Sequence, residues 1–199
     1  QAFTNMVLGA SYTQRNASEE AISALSTSIN LAKTTGNEHI HILASSHLVF
    51  LLINQVRYSE AELICRNIIA QYENWKAKTS PAIAQIFTLL SDIYTKRYQL
   101  DEALLLAKKG LEISKRWNQI DTETLCSIYL IDTLLTMSEF TQAWEVLIQV
   151  KERTQGFSPW FEGIIEETEV NYLITTENYS AAMKWAVDKG LDSRDPLHP

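Results

Sequence analysis

Residues 90–106, LSDIYTKRYQLDEALLL, contain the pattern that determines the fold. Leu90 and Tyr94 are four residues apart, so they lie on one face of a helix, and Ala103 and Leu106 share a face of a second helix in the same way. Few residues separate the two pairs, which leaves room only for a tight turn. The stretch therefore predicts two antiparallel helices that pack against each other.

The same pattern recurs five times along the chain. An alanine stands near the start of every second helix, at intervals of 39 to 42 residues: Ala21, Ala61, Ala103, Ala143 and Ala182. Thirteen residues earlier, four of the five copies carry leucine, and Glu169 replaces it in the last. Nine residues earlier each copy carries Tyr or Leu, and three residues later each carries an apolar side chain. A regular period of this length predicts an all-α solenoid of five antiparallel helix pairs.

The alanine keeps the two helices of a pair close together, because a larger side chain would hold their axes apart. The turns within the pairs lack glycine, and Asn16 is the residue there that most easily takes a positive φ. The predicted helices cover residues 1–14, 18–35, 38–54, 59–75, 81–96, 100–116, 122–137, 140–154, 159–175 and 179–189.

Four of these helices have recognisable start signals. Ser80-Pro81 and Ser158-Pro159 place an N-cap hydroxyl before a proline at the first helical position. Asn37 and Asp121 are the expected N-caps of two others. We expect a single domain over residues 1–199, with repeats at about 1–36, 37–78, 79–118, 119–156 and 157–191. Because the chain begins at Gln1 inside a helix, we also expect it to be part of a longer protein.

Composition and charge exclude several classes of partner. The net charge is −7 and the pI about 5.1, which disfavours direct contact with nucleic acid or an anionic membrane surface. No apolar stretch is long enough for a transmembrane helix. Cys65 and Cys126 stand in apolar helical contexts without a CxxC partner, as expected for free thiols in the cytoplasm.

No motif indicates catalysis, a cofactor or a metal. His39, His41 and His47 lack the helical spacing of metal ligands, and a solvent-facing helix start is the simpler interpretation. The acidic run on the ninth helix, Glu162, Glu166, Glu167 and Glu169, predicts a solvated face rather than a catalytic pair, although Glu169 interrupts the leucine column. We therefore expect that the chain is not an enzyme, and we expect no cofactor.

The five tryptophans have different expected roles. Trp144 and Trp185 closely follow repeat alanines, so we expect them in the core. Trp160 is less clearly assigned. Trp75 and Trp117 stand at loop edges and are the best candidates for an exposed contact.

The repeat columns resemble the tetratricopeptide consensus, as in Leu8-Gly-x-x-Tyr12 followed by Ala21 and Leu25. The family's 34-residue period is exceeded here by about six residues. Its small residue twelve positions before the alanine is kept only as Gly9 and Ser91. The resemblance implies a right-handed tetratricopeptide-like solenoid.

Several longer segments resemble the tetratricopeptide-like region of MalT-type regulators, the large ATP-dependent activators of the LuxR family. The most specific is residues 178–191, NYSAAMKWAVDKGL, followed by Asp195-Pro196; residues 6–10 and 63–66 are also similar. The resemblance implies transcription regulation, with a nucleotide-binding module and a helix-turn-helix elsewhere in the parent protein. Neither a phosphate-binding loop nor a helix-turn-helix is present in this chain.

The family's groove position, eleven residues before each alanine, maps the candidate ligand-binding residues. Together with neighbouring positions these are Ser46, Phe50, Gln85, Thr88, Asp92, Asp132, Glu167 and Asn171, with Ala10 in the first repeat. A groove with carboxylates and amides suits a neutral polyol or a basic or mixed peptide, and disfavours clamping of a C-terminal carboxylate. These residues could equally serve only to solvate the groove.

These features lead to one hypothesis and two alternatives. The first is the sensor and protein-interaction region of a MalT-type activator, which binds a small-molecule inducer or a regulatory protein. The second is a tetratricopeptide adaptor or scaffold that binds a peptide segment of a partner. The third is a structural solenoid that self-associates.

Overall fold

The computed structural model describes residues 1–74 and 80–191, in which ten helices form one antiparallel stack. The helices are α1 Ala2–Gln14, α2 Ser18–Thr34, α3 Glu38–Asn54, α4 Tyr58–Asn74, α5 Ile83–Lys96, α6 Leu100–Arg116, α7 Ile120–Thr136, α8 Phe140–Thr154, α9 Pro159–Thr175 and α10 Tyr179–Asp188. All bounds lie within two residues of those predicted, and no strand occurs in the described ranges. The all-α solenoid of five helix pairs is confirmed. Trp75, the repeat boundary at 78–79 and Asp195-Pro196 lie outside the described residues.

The start signals were predicted with mixed success. Asn37 caps α3, since its side chain accepts a hydrogen bond from the backbone N–H of Ile40 at 3.1 Å. Ser158 precedes α9 with a proline in the first turn, but its side chain makes no capping bond. The prediction for Ser80 is wrong, because a turn over residues 81–82 delays α5. The hydroxyl of Ser80 instead lies 3.1 Å from Nδ1 of His39.

The predicted N-cap Asp121 is also wrong. The helix α7 begins two residues earlier than predicted, at Ile120, with Gln119 as its N-cap. Asp121 therefore lies in the first turn, where a carboxylate still interacts favourably with the positive end of the helix dipole.

The helices form two layers. Each odd-numbered helix contacts the next odd-numbered helix, whereas no two even-numbered helices approach each other in the described residues. The even-numbered helices therefore spread apart on the outer, convex side, and the odd-numbered helices line the inner, concave side. The concave groove of the stack is consequently lined by α1, α3, α5, α7 and α9.

The repeat alanines lie where the two helices of a pair meet. Ala21, Ala61, Ala103 and Ala143 are all 0% exposed, and only Ala182 in α10 is half-buried. A continuous apolar core, which includes Ala61, Ala103 and Ala143, extends along the stack from α3 to α9. Burial of this shared core stabilises the stack, because a single helix pair would leave an apolar face exposed to water.

The five turns within the helix pairs share one backbone geometry. Each contains a residue with positive φ, always five positions before the repeat alanine: Asn16, Val56, Tyr98, Ser138 and Glu177. The next N–H then bonds back to the preceding helix, as Arg57 does to the carbonyl of Leu52 at 2.9 Å. This is a Schellman-type helix end, usually made with glycine. Valine and tyrosine adopt it here because helix pairing outweighs the local strain.

No helix of the described residues is both long enough and apolar enough to cross a lipid bilayer.

Candidate binding site on the concave face

Asp92 on α5 is the most buried charge of the concave face. Its exposed fraction is 4%, and its carboxylate pairs with the ammonium of Lys96 one turn later. Burial raises the pKa of the Asp92 carboxyl, and the hydrogen bond from Lys96 opposes this effect. The contact with Lys96 holds the Asp92 carboxylate in place. Removing Lys96 would leave this buried charge uncompensated. Asp92 is therefore a positioned group that already has one cationic partner.

Asp132 on α7 has no such partner. It is half-buried, and no Lys, Arg or His nitrogen of the described residues lies within 4.0 Å of its carboxylate. Burial raises the pKa of this carboxyl, while the more distant Lys96 lowers it. A half-buried carboxylate without a cation is stabilised by any ligand that brings hydrogen-bond donors or positive charge.

Tyr129 stands one helical turn before Asp132 and shares its surroundings. Burial raises the pKa of the Tyr129 hydroxyl, and the negative charges of Asp92 and Asp132 raise it further. The phenol therefore stays protonated at all ordinary pH values and can donate one hydrogen bond.

A cavity of about 460 Å³ lies elsewhere, on the outer side, but the concave face has its own cavity of about 330 Å³ between α7 and α9. Asp132, Glu167 and Asn171 lie in its wall beside Tyr129, and Thr168 adds a hydroxyl. The remaining wall is apolar and consists of Ile128, Ile131 and Ile164. Three of the eight predicted groove residues are thus brought together around one cavity.

Two predicted groove residues do not line the groove. Ser46 is 4% exposed and its hydroxyl donates to the carbonyl of Ile42 at 3.0 Å. Thr88 is 3% exposed, donates to the carbonyl of Ala84 at 2.9 Å, and contacts Cys126 Sγ at 3.1 Å. Both are small side chains whose hydroxyls are satisfied inside the helix stack, so packing explains them.

The other predicted groove residues lie apart from the cavity. Phe50 on α3 is 40% exposed, Gln85 on α5 is half-buried, and Ala10 on α1 is half-buried. None of the three lines the cavity between α7 and α9.

The mapping of groove positions from the repeat alanines, which we call the groove rule, missed Lys96 and Tyr129. A sequence signal existed for both, because Lys96 follows Asp92 by four residues and Tyr129 precedes Asp132 by three. Residues at these separations are neighbours on one helix face.

The tryptophans differ in part from expectation. Trp117 is 44% exposed, as predicted for a loop edge. Trp144 is 37% exposed, so its assignment to the core is wrong; its ring packs against Tyr172 with centroids 5.0 Å apart. Trp185 is half-buried, and Trp160 is 60% exposed with its ring edge-on to Phe161. Trp144 lies on the outer layer, where the wide helix spacing leaves its ring partly uncovered.

The acidic run on α9 is not a uniformly solvated face. Glu169 accepts from Lys151 Nζ at 2.7 Å, and Glu166 pairs with Lys189 Nζ at 2.6 Å. Glu162 accepts from the backbone N–H of Gly156 at 3.2 Å. Glu167 alone of the four lines the concave cavity.

Two of the three histidines on α3 differ from expectation, whereas His39 is exposed as predicted. His41 is 5% exposed rather than solvent-facing, and His47 is half-buried. Within the described residues no cluster of three or more His, Cys, Asp or Glu side chains could hold a metal ion. Cys65 and Cys126 are free and buried, and burial raises the pKa of the Cys65 thiol to about 12 and that of Cys126 to about 11.

Solved structures with this fold include TPR-like repeat proteins. The chain is similar to the nearly identical TPR-like repeats of a putative kinesin light chain from Podosopora anserina, with a TM-score of 0.65, 15% identity and coverage of 98% of this chain and 96% of that one. A second crystal structure of those repeats, of a variant with one substitution, gives a TM-score of 0.66 at 16% identity, covering 91% and 89%. At these identities the likeness concerns the fold alone. No curated protein sequence matches the chain.

One family model spans almost the whole sequence. It is the MalT-like TPR region, and it matches residues 1–198. The antiparallel helix pairs and the concave face of odd-numbered helices agree with a TPR array. The chain belongs to the MalT-like TPR region family.

Proposed function

We propose that this chain is the sensor and interaction region of a MalT-type, LuxR-family transcriptional regulator that acts in the cytoplasm. Its role is to bind a ligand, an inducer or a segment of a regulatory protein, and not to catalyse a reaction. Membership of the MalT-like TPR region family supports the proposal. The observation that carries the binding role is Asp132, a half-buried carboxylate at the wall of the concave cavity that has no cationic partner among the described residues.

The chemistry of the cavity indicates what the ligand must offer. Asp132 and Glu167 are acceptors, Asn171 can accept and donate, and Tyr129 donates. The three isoleucines of the wall offer an apolar surface at the same place. A ligand with several hydroxyls on a carbon skeleton, or a Lys or Arg side chain with its aliphatic stem, meets both requirements.

The second candidate is an adaptor that binds a basic peptide segment. The two carboxylates favour it, because they would pair directly with an ammonium or guanidinium group. The similar kinesin light chain repeats supply only the fold for this idea.

Calorimetry separates the two candidates. The isolated chain is titrated with a panel of neutral oligosaccharides and with a short arginine-containing peptide. Saturable binding of an oligosaccharide supports the inducer sensor, and binding of the peptide alone supports the adaptor. If the chain binds neither and instead dimerises in sedimentation experiments, self-association becomes the better account.

The context of the parent gene tests the regulator assignment independently. We expect a phosphate-binding loop encoded upstream and a helix-turn-helix encoded downstream. A parent gene that encodes neither module contradicts the regulator assignment, whatever the chain binds.

A further inference from the structure

The outer face of the stack contains three clefts that occupy equivalent places in different repeats. Each lies between two successive even-numbered helices and is floored by the odd-numbered helix between them. The correspondence is visible in the lining: Ile64, Leu106 and Trp185 each line one cleft, and each follows its repeat alanine by three residues. The three clefts can therefore be compared position by position.

Two of these clefts have a clear character. The one between α4 and α6, about 440 Å³, has an apolar floor that includes Phe87, with Lys109 Nζ 4.4 Å from the ring centroid. The one between α8 and α10, about 460 Å³, is acidic and is lined by Glu152, Glu162, Glu166 and Glu169.

The cleft between α2 and α4 is smaller and differs from both. Its volume is about 230 Å³. It is lined by Ser26, Ile29, Asn30, Lys33, His41, Ser45, Leu48, Ile64, Asn67, Ile68 and Gln71. Seven of these eleven residues are polar, and Lys33 and His41 are the titratable ones among them. No carboxylate occurs in this lining, although the chain as a whole carries a net charge of −7.

The floor of this cleft contains two buried polar side chains without a partner. His41 is 5% exposed and Ser45 is 1% exposed, and they stand one helical turn apart on α3. Within the described residues neither the imidazole nor the hydroxyl makes a hydrogen bond to the protein. Burial lowers the pKa of His41, and the positive charge of Lys33 lowers it further. Among the described residues, the side-chain N and O atoms that are both fully buried and unpartnered are Ser91 Oγ and Trp185 Nε1, so the polar atoms of His41 and Ser45 are open to the cleft, where a ligand can bond to them.

In the fourth repeat, the side chain at the position equivalent to His41 has a partner within the protein. Glu123 stands 20 residues before Ala143, as His41 stands 20 residues before Ala61. There the protein supplies the partner itself, since Arg153 Nε lies 3.5 Å from the carboxylate of Glu123. In the second repeat the position of Arg153 is taken by Gln71, which carries no charge. The fourth repeat thus has an ion pair at these positions, whereas the second repeat has His41 and the uncharged Gln71, which leaves the polar groups of its cleft available to a ligand.

We propose that the cleft between α2 and α4 binds a small carboxylate or phosphate anion, with Lys33 as the cation and His41 and Ser45 as hydrogen-bond donors. The amide groups of Asn67 and Gln71 complete the set of donors. An anion fits the lining because a donor-rich cleft with one ammonium and no carboxylate attracts negative charge. The volume lies below that of pockets for drug-sized ligands, which restricts the anion to a small one.

The site is on the opposite side of the stack from the concave cavity. Its binding can therefore be measured separately from that of any inducer or peptide.

The test is a titration of the chain with inorganic phosphate and, separately, with succinate, followed by NMR of the histidine ring protons. We expect saturable shifts of the His41 signals with at least one of the two anions. The bound anion should raise the pKa of His41 and leave that of His47 unchanged, because His47 does not line the cleft. Binding of one anion alone identifies the carboxylate or the phosphate as the group that is recognised.

Two lysine variants provide the matched comparison. Lys33 and Lys115 both stand twelve residues after a repeat alanine, on α2 and α6, and both are exposed. Lys33→Met should weaken anion binding at least tenfold, and Lys115→Met should change it less than twofold. The proposal is overturned if neither anion gives saturable shifts at His41, or if the two variants weaken binding equally.

Discussion

A Cβ atom placed on Gly9 of α1 would lie 2.5 Å from Cγ of Leu25 on α2, which is far inside contact distance. Leu25 is itself 0% exposed, so it has no free space into which it can move. The first helix pair is therefore packed so closely that only glycine fits at this position.

Gly9→Ala should consequently destabilise the chain. Overpacking a core by one methyl group costs about 1–3 kcal/mol, which exceeds the gain of up to about 1 kcal/mol from replacing a helical glycine. The measurement is urea unfolding followed by circular dichroism.

Gly163→Ala on α9 is the matched control. A Cβ atom there meets nothing within 4 Å, so only the helix propensity changes. We expect a gain of about 0.5–1 kcal/mol in the free energy of unfolding. Equal effects of the two variants would contradict the close packing of α1 against α2.

Val56 stores backbone strain in the turn between α3 and α4. Its φ is 60° and its side chain is 68% exposed, so no core packing depends on it. Val56→Gly should stabilise the chain by about 1 kcal/mol, because a β-branched residue is unfavourable in the left-handed region.

Gly36→Ala tests the same principle in reverse. Gly36 has φ 67° between α2 and α3, and a Cβ atom there would meet nothing, so we expect a loss of about 1 kcal/mol from the backbone alone. In thermal unfolding, Val56→Gly should raise the melting temperature and Gly36→Ala should lower it. A destabilised Val56→Gly variant would mean that the turn is not strained.

The sequence predicted the fold well and the turns only in part. Ala21 and its four equivalents located every helix pair, because a buried contact between two helices tolerates only a small side chain. The positive φ of Val56 could not be predicted, since no local preference of valine favours it and only the pairing of α3 with α4 imposes it.

The candidate site was predicted less completely than the fold. The groove rule found Asp132, Glu167 and Asn171 because it counts position along the repeat. It also selected Thr88, which the close approach of α6 at Gly110 places in the interior: a Cβ on that glycine would lie 2.6 Å from Thr88 Oγ1. Counting along one helix cannot show how closely the next one packs.

Glu62 should support the joint between α4 and α5 at neutral pH. It pairs with Arg66 at 2.7 Å and with Arg97 across the joint, and Tyr94 also donates to it at 3.2 Å. The hydrogen bond from Arg66 is the main reason why the pKa of Glu62 lies below its usual value, although burial opposes it. A lowered carboxyl pKa stabilises the fold above the unfolded-state pKa, and this contribution is lost as the pH falls through the folded-state pKa.

Glu62→Gln should therefore cost up to about 1 kcal/mol at about pH 7, and little at about pH 3. Glu112→Gln is the control, because Glu112 forms an exposed pair with Arg116 on α6 alone. Urea unfolding at the two pH values measures both effects. A pH-independent difference for Glu62→Gln would disprove the role of its charge.

Asp132→Asn should make the chain more stable at neutral pH. Burial is the main cause of the raised pKa of Asp132, so the folded state disfavours its charged form. The sign follows from linkage: the folded protein binds the proton more tightly, and stability falls as the pH rises from the unfolded-state pKa through the folded-state pKa. The advantage of asparagine should thus shrink towards about pH 4, near the unfolded-state pKa. If the wild type and Asp132→Asn have the same free energy of unfolding across this pH range, burial does not destabilise the Asp132 charge.

The central claim is that the concave cavity between α7 and α9 binds the ligand. The most direct test is a calorimetric titration with whichever panel ligand binds the wild type. It compares the wild type, the double variant Asp132→Asn/Glu167→Gln, and the control Glu112→Gln on α6. We predict that the double variant binds at least tenfold more weakly, because hydrogen bonds to charged groups contribute about 1.5–3 kcal/mol each. The control should bind with wild-type affinity. Unchanged affinity in a folded double variant would contradict the claim.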